Sequence, residues 1–259
     1  MSEKLSVLVT GGTGALGRQV VMLLRDSGHR ARILSRHPKG HVDTVEGDLA
    51  TGAGLDRAVR GMDAVIHAAS ATTNPFRGRA VDVSGTRRLL AAARDAHVAH
   101  FLYVSIVGME GVSYPYYRTK LKAEAVVRED IVPWSILRAT QFHTLMEFFL
   151  EAFCRVPGLA AVPLSWQFQP VDPRDVARRL VAVVTQAPSG MLPDFGGPEV
   201  RGFGSLARAW LDARHSRRRL VNLPLPLQFS RQFTTGKLLT PEHRDGAITF
   251  EQYLKEKYG

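Results

Sequence analysis

The chain of 259 residues has a single cysteine, Cys154. One thiol cannot build an intramolecular disulfide framework and offers no cysteine cluster to a metal, so the fold must rest on its hydrophobic core, as in a reducing compartment. Long apolar runs are also missing: nothing reaches the roughly 20 residues needed to span a bilayer. The N-terminus lacks a basic region followed by an apolar segment and a cleavage site. A soluble, unexported, cytoplasmic protein with no membrane partner is expected. Acidic residues are scarce, 24 Asp and Glu against 34 Lys and Arg, for a net charge of +10. The densest positive stretch, Arg214-His215-Ser216-Arg217-Arg218-Arg219, has no interleaved aromatics and follows a short helix-like stretch. A solvated connector explains it, which argues against nucleic acid as a partner, and part of the charge suits an anionic cofactor. Internal repeats and low-complexity segments are absent as well. With 45% hydrophobic composition, residues 1–259 are expected to form one domain around one sizeable core.

What is present is most concentrated in Val7-Leu8-Val9-Thr10-Gly11-Gly12-Thr13-Gly14-Ala15-Leu16-Gly17, where a hydrophobic strand runs into spaced glycines and then a helix. Backbone N–H groups and the positive end of a helix dipole meet at such a turn, so a pyrophosphate can sit there. One glycine permits the turn, one lets the phosphates approach, and one lets helix and strand pack closely. Gly12 and Gly17 also carry the glycine spacing of a mononucleotide P-loop, but Arg18 and Gln19 follow instead of Lys and Ser/Thr. The phosphate-holding lysine and the Mg-binding hydroxyl are missing, which rejects that motif.

About 20 residues beyond the turn, an NAD-selective site places a carboxylate for the ribose 2′-hydroxyl. Here the position reads Ser35-Arg36-His37. A guanidinium at Arg36 suits a 2′-phosphate, so NADP(H) is the expected cofactor and NAD(H) the weaker alternative.

Periodicity predicts strands at Leu5–Thr10, Arg30–Ser35, Val42–Glu46, Asp63–His67, His100–Val104 and Trp134–Leu137. Helices are expected near Gly14–Ser27, Gly54–Arg60, Val81–Ala96 and Pro115–Glu129. Their alternation implies an α/β, Rossmann-type doubly wound parallel sheet covered on both faces. Beyond Arg138 the pattern loosens into an apolar helix at Gln141–Phe153, a Pro- and Gly-containing segment at Val156–Leu164, and an extended piece at Gln167–Val171. A helix then runs to about Gln186 with Asp172 as N-cap, Pro173 at its first position and Asp175 in its first turn. A short strand at Leu192–Phe195 and two or three helical pieces complete the chain. Residues from about 141–170 and 190–259 are expected to form a small C-terminal substrate-binding region, where a small-molecule substrate would bind.

Ser105 ends the fifth strand, and Tyr116 and Lys120 stand four apart near the start of the next helix, so both project from one face. A phenol with an ordinary pKa near about 10 shuttles protons poorly at neutral pH unless a cation stabilises its phenolate. Lys120 is the candidate cation, Tyr116 the acid/base, and Ser105 a carbonyl orienter for hydride transfer. Tyr114 and Tyr117 are rival proton donors, and Gly108, Gly111 and Pro115 lie between Ser105 and Tyr116.

These features resemble the atypical, NmrA-like NAD(P)H-binding branch of the short-chain dehydrogenase/reductase superfamily. Its matching pieces are Thr10–Gly17, Gly47-Asp48-Leu49, Asp82-Val83-Ser84-Gly85-Thr86, Val104-Ser105, Tyr116 with Lys120, Val132–Arg138, Gln169-Pro170-Val171 and Asp175-Val176-Ala177. The resemblance implies that the turn, with Gly11, Thr13, Gly14, Ala15, Leu16 and Gly17, holds the pyrophosphate. Arg36 would take the 2′-phosphate, Asp48 and Leu49 the adenine, and Ala68, Ala69 and Ser70 the sugar-phosphate side. Lys120 would bind the nicotinamide ribose, and Thr140, Gln141 and Phe142 would border the nicotinamide and substrate. The branch holds NADP(H)-dependent oxidoreductases acting on carbonyl or quinone-like substrates, and also non-catalytic redox sensors and regulators.

Other residues read as structural. His143 begins an apolar helix, where a lone histidine is usually a satisfied polar group. His97 and His100 have no acidic or cysteine partner at metal-ligand spacing, and no metal site is expected. The apolar residues Phe142, Leu145, Met146, Phe148, Phe149 and Phe153 suit core and pocket wall, or a dimer contact, so a monomer or a homodimer remains open.

Overall fold

The structure is a computed structural model and describes residues 4–38, 43–71, 79–112 and 114–259. In chain order the first elements are β1 (Ser6–Thr10), α1 (Ala15–Asp26), β2 (Arg30–Ser35), β3 (Thr44–Glu46), α2 (Leu55–Val59) and β4 (Ala64–His67). A π-helical turn (Arg79–Gly85), α3 (Thr86–Asp95), β5 (His100–Ile106), α4 (Pro115–Arg128) and β6 (Trp134–Ala139) follow. Then come α5 (His143–Phe153), β7 (Leu159–Val162), β8 (Gln167–Phe168), α6 (Pro173–Val184), β9 (Gly190–Met191) and β10 (Arg201–Gly202). The chain closes with α7 (Phe203–Ala213), β11 (Arg219–Asn222), α8 (Leu227–Thr234) and α9 (Phe250–Tyr258).

The described residues divide into two compact units, each assembled from three stretches of sequence. The first comprises Met1–Ser105, Glu110–Arg138 and Ala177–Pro193; the second comprises Ile106–Met109, Ala139–Val176 and Asp194–Gly259.

The first unit carries the parallel sheet that the strand–helix alternation predicts, in the order β3-β2-β1-β4-β5-β6-β9. Neighbours run parallel: Val9 pairs with Ile33 on one side and with Ile66 on the other. Helices cover both faces, so the central strands are apolar along their length, with Val7, Leu8, Val9, Val65, Ile66, Phe101 and Leu102 fully buried. One core layer joins Leu8 and Phe101 to Leu89, Leu90 and Ala93 of α3 and to Ala123 and Val127 of α4. Strand order reverses at β1, whose neighbours β2 and β4 lead away in opposite directions. The carboxyl ends of β1 and β4 therefore flank a switch point, where this architecture opens a ligand crevice.

Two local expectations are revised. The helix expected over Val81–Ala96 opens as the π-helical turn, because the Thr86 hydroxyl donates to the Asp82 carbonyl at 2.6 Å and occupies an acceptor four residues back. The strand expected at Leu192–Phe195 is instead Gly190–Met191, paired with Ser135 and Ile136. Pro193 has no N–H to continue the ladder, and Phe195 makes only an isolated bridge to Ala139. Within the expected extended piece Gln167–Val171, Gln167–Phe168 form β8 and Val171 makes an isolated bridge to Phe142. The strand expected at Val42–Glu46 is described over Thr44–Glu46, and Val42 lies outside the described residues.

The second unit packs α5, α7 and α9 around Met146, Leu150, Trp166, Phe168, Phe203, Trp210 and Phe250. Two small sheets complete it, β10 antiparallel to β8 and β11 parallel to β7. Trp166 stacks on Phe233 with ring centroids 4.2 Å apart. Asp172 caps α6 as expected, accepting the Arg174 N–H at 2.8 Å, and Asp175 accepts the N–H groups of Ala247 and Ile248 at 3.0 Å each. Glu147 of α5 is buried and accepts hydrogen bonds from Tyr253, Lys257 and Tyr258, which fastens α9. His143 is buried and bonds the Ile248 carbonyl at 3.0 Å; burial lowers its pKa. Arg214, first of the basic run, stacks over Trp210 at 4.5 Å.

Candidate active site

The glycine turn owes its shape to two close approaches. Gly11 has φ +70°, and a Cβ there would lie 2.8 Å from the Ala69 nitrogen, so the turn lies against the end of β4 only because Gly11 has no side chain. At Gly17 a Cβ would come within 2.1 Å of the Gly11 carbonyl oxygen, which is how α1 packs so near the turn. Gly14 differs. It is exposed, and its missing side chain would meet only the Gly11 carbonyl, at 3.2 Å. Gly14 is also the N-cap of α1, with no side-chain cap and no acidic residue in the first turn. The opening N–H groups of the helix thus have no carboxylate competing for them, and a diphosphate is the kind of group that fits.

Thr13 is exposed and Ala15 half-buried, whereas Leu16 belongs to the core. Arg36 is exposed directly after β2. Asp48 accepts the Ala50 N–H at 2.8 Å within its own turn, and Leu49 is packed into the core. Ala68, Ala69 and Ser70 are half-buried beyond β4. In the second unit Thr140 and Gln141 are buried. The Thr140 hydroxyl donates to the Gln169 carbonyl at 2.6 Å, and the Gln141 amide donates to the Leu238 carbonyl at 2.8 Å. Their side chains are thus committed to bonds within their own unit, while Phe142 stays half-buried.

The end of β4 is tied to the turn by a chain of hydrogen bonds through His67, a residue the sequence reading left out. Thr10 Oγ1 lies 2.6 Å from His67 Nδ1, and Thr86 Oγ1 lies 2.9 Å from Nε2. Because the Thr86 hydroxyl spends its proton on the Asp82 carbonyl, it must accept from Nε2–H. Nδ1 then accepts the Thr10 proton, and Thr10 in turn accepts from the Ala69 N–H at 3.2 Å. Complete burial, reinforced by the Lys120 charge, holds the imidazole neutral, with its pKa lowered to about 3.

Tyr116 and Lys120 both sit on α4, but they do not share a partner. The Lys120 ammonium is buried, donating to the Tyr103 hydroxyl at 2.6 Å and to the Val104 carbonyl at 2.8 Å. Burial lowers its pKa to about 8, against the opposing pull of Asp82 and Glu124. The Tyr116 hydroxyl instead meets Ser70 Oγ at 3.0 Å, and Ser70 donates to Asp82 Oδ1 at 2.5 Å. Burial raises the Tyr116 pKa well above the ordinary phenol value; the Ser70 bond opposes the rise, and the Asp82 charge adds to it. The three adjacent tyrosines are sorted by exposure: Tyr114 is 53% exposed, Tyr117 is buried with its pKa pushed up to about 12, and Tyr116 is half-buried beside a polar partner. Ser105 makes no hydrogen bond to Tyr116; its hydroxyl is buried and has no hydrogen-bond partner among the described residues. The platform is stiffened by Arg138 at the end of β6, which forks onto Glu124 of α4 at 2.9 and 2.6 Å and reaches Glu110 at 2.6 Å. Sequence spacing finds Tyr116 and Lys120, but Tyr103 and Asp82 lie on other elements; Asp82 stands in a segment that carries the family resemblance, yet nothing local ties it to Tyr116.

Comparison with known proteins bears on the same region. Residues 11–146, over half the chain, match a family model described as NAD(P)H-binding. A (4-alkanoyl-5-oxo-2,5-dihydrofuran-3-yl)methyl phosphate reductase of Streptomyces griseus is 34% identical over 69% of this chain and 63% of its own length. A ceramide reductase of Caulobacter vibrioides is 32% identical over 68% of this chain and 60% of its own. A photosystem II assembly factor, Ycf39 of Trieres chinensis, is 28% identical over 62% of this chain and 52% of its own. The alignments thus span less than two thirds of the length of these curated relatives. Among solved structures, a short-chain dehydrogenase/reductase superfamily protein of Agrobacterium tumefaciens with bound NAD superposes with a TM-score of 0.73. It is 22% identical, covering 98% of this chain and 95% of that one, a likeness of fold. No helix among the described residues is long and apolar enough to cross a membrane.

Proposed function

Because the chain belongs to the NAD(P)H-binding family and has the fold of the short-chain dehydrogenase/reductases, we propose that it is an NADP(H)-dependent oxidoreductase acting on a small, largely apolar carbonyl or quinone-like substrate. The observation that carries this reading is the glycine turn: an uncapped helix N-terminus, open at Gly14, behind two glycines that admit no side chain. Thr13, Gly14, Ala15 and Leu16 hold the pyrophosphate, and Arg36 pairs with the 2′-phosphate where an NAD-selective site has a carboxylate. Asp48 and Leu49 border the adenine, and Ala68 to Ser70 the sugar-phosphate side.

A bound nicotinamide supplies or accepts the hydride. Tyr116 gives the carbonyl oxygen its proton, and its raised pKa keeps it in the acid form that reduction requires. Lys120 orients the nicotinamide ribose from beside Tyr103. An apolar substrate is supported by the ceramide reductase relative.

The test is a panel of carbonyls and quinones with NADPH. Turnover is expected with at least one member, and Tyr116→Phe should lose about a hundredfold or more of it while NADPH affinity stays within about twofold. Consumption of no substrate, or full turnover in Tyr116→Phe, sinks the catalytic assignment. A second reading, a dinucleotide-binding regulator, draws on the Lys120 ammonium bonding Tyr103 rather than Tyr116 and on the assembly-factor relative. It requires NADP(H) binding without consumption.

A further inference from the structure

We propose that Asp82, acting through Ser70, is the positioning residue for Tyr116: the single hydroxyl proton of Ser70 passes between the Asp82 carboxylate and the Tyr116 oxygen as Tyr116 loses and regains its own. The inference rests on the reading of Tyr116 as the acid and goes beyond it, since spacing pointed to Lys120 as the group that tunes this phenol.

The argument is a count of protons. Asp82 is buried, and its carboxylate can only accept, so the proton between it and Ser70 belongs to Ser70. The other oxygen, Oδ2, accepts the Ala71 N–H at 3.1 Å. Ser70 has no second proton, and therefore the 3.0 Å contact with Tyr116 is made by the phenol donating to Ser70 Oγ. When Tyr116 protonates an alkoxide, its O–H bond breaks and a new O–H bond forms on the product oxygen. The phenolate left behind is purely an acceptor. Ser70 then turns its hydroxyl from Asp82 to the phenolate, and Asp82 keeps the Ala71 N–H. A proton from solvent water returns to Tyr116, hydroxide going to solvent, and Ser70 swings back. Oxidation runs the same steps in reverse.

The two neighbours thus act with opposite sign. The Asp82 charge disfavours phenolate and drives reloading of the acid, whereas the Ser70 hydroxyl favours phenolate once it forms. Other groups facing this site are Tyr114 just before α4, Tyr117 on α4, Tyr103 on β5, and Lys120, whose ammonium is committed to Tyr103 and Val104.

Opposite signs make the test specific. The full-length protein, free of cofactor, is labelled with 3-fluorotyrosine, whose ring fluorine lowers the intrinsic phenol pKa. The Tyr116 fluorine resonance is assigned by its loss in Tyr116→Phe and titrated by NMR. Asp82→Asn should lower its midpoint by about one pH unit, and Ser70→Ala should raise it. A merely structural role would loosen the site, admit water and lower both. An Asp82→Asn midpoint at or above the parent's, or a downward shift in both variants, overturns the proposal. Should Asp82→Asn fail to fold, Ser70→Ala decides alone: a rise supports the proposal, and no change or a fall overturns it. Absence of turnover would count against the proposed reaction and leave this titration untouched.

Discussion

A histidine sealed between two threonine hydroxyls has nowhere to put a second proton. His67 is neutral in the folded protein, with a pKa near about 3 against 6.5 for the free side chain. Between those values the unfolded chain binds the proton that the folded chain refuses, so His67's contribution to stability is complete above 6.5 and is lost as pH falls toward 3. Urea unfolding as a function of pH should therefore show a steeper acid loss in the parent than in His67→Gln; parallel curves would refute the assignment. Lys120 gives the complementary case. Its pKa is depressed from 10.5 to about 8, so the folded state is penalised while the ammonium is charged. Stability should rise, relative to Lys120→Met, as pH climbs from 8 to 10.5. A flat difference across that window would show that the amine is charged throughout. The residue scale is also where the sequence was least legible. Spacing along a helix puts Tyr116 and Lys120 on one face, yet it cannot reveal that a strand tyrosine, Tyr103, takes the ammonium, or that Ser70 and Asp82 converge on the phenol.

At the scale of elements, the turn between β1 and α1 separates the glycines by function. A methyl at Gly17 would stand 2.1 Å from a backbone oxygen, so Gly17→Ala must push α1 off the strand. It should cost about 1–3 kcal/mol, read as a lower melting temperature, with NADPH affinity lost alongside. Gly14→Ala meets one oxygen at 3.2 Å and otherwise faces outward. It should melt within a few degrees of the parent, while calorimetry shows NADPH binding weakened by about tenfold or more, because the methyl occupies the space the phosphates need. Equal losses of stability in the two variants would contradict this division. The first six strands and their helices were legible because apolar periodicity and glycine punctuation act locally. Beyond Arg138, the short strands β7 to β11 are held by partners far away in sequence, such as Arg219 with Leu159, and Pro193 cuts short the strand expected at Leu192–Phe195. Periodicity carries no trace of such pairings.

For the whole molecule, the excess of cations should act on the cofactor before contact. With a net charge of +10, an anionic dinucleotide is drawn in through a field that salt screens. NADPH affinity should fall several-fold between about 0.01 M and about 1 M salt, over which the screening length contracts from about 30 Å to about 3 Å. Affinity independent of salt would mean that the charge serves something else. Preference belongs to one residue within that field: Arg36→Glu should reverse the order of NADPH and NADH in a binding titration, since a carboxylate repels the 2′-phosphate and accepts from the 2′-hydroxyl. Unchanged preference would remove Arg36 from the site.

The two compact units are threaded through one another along the sequence, each visited three times by the polypeptide. No single cut releases either one whole. A chain truncated after Arg138 would keep the glycine turn but lose β9, the edge strand of the main sheet, along with the larger part of α6, which belongs to the first unit. Recombination could not exchange the second unit as one cassette, because its opening stretch, Ile106–Met109, lies inside the sequence of the first.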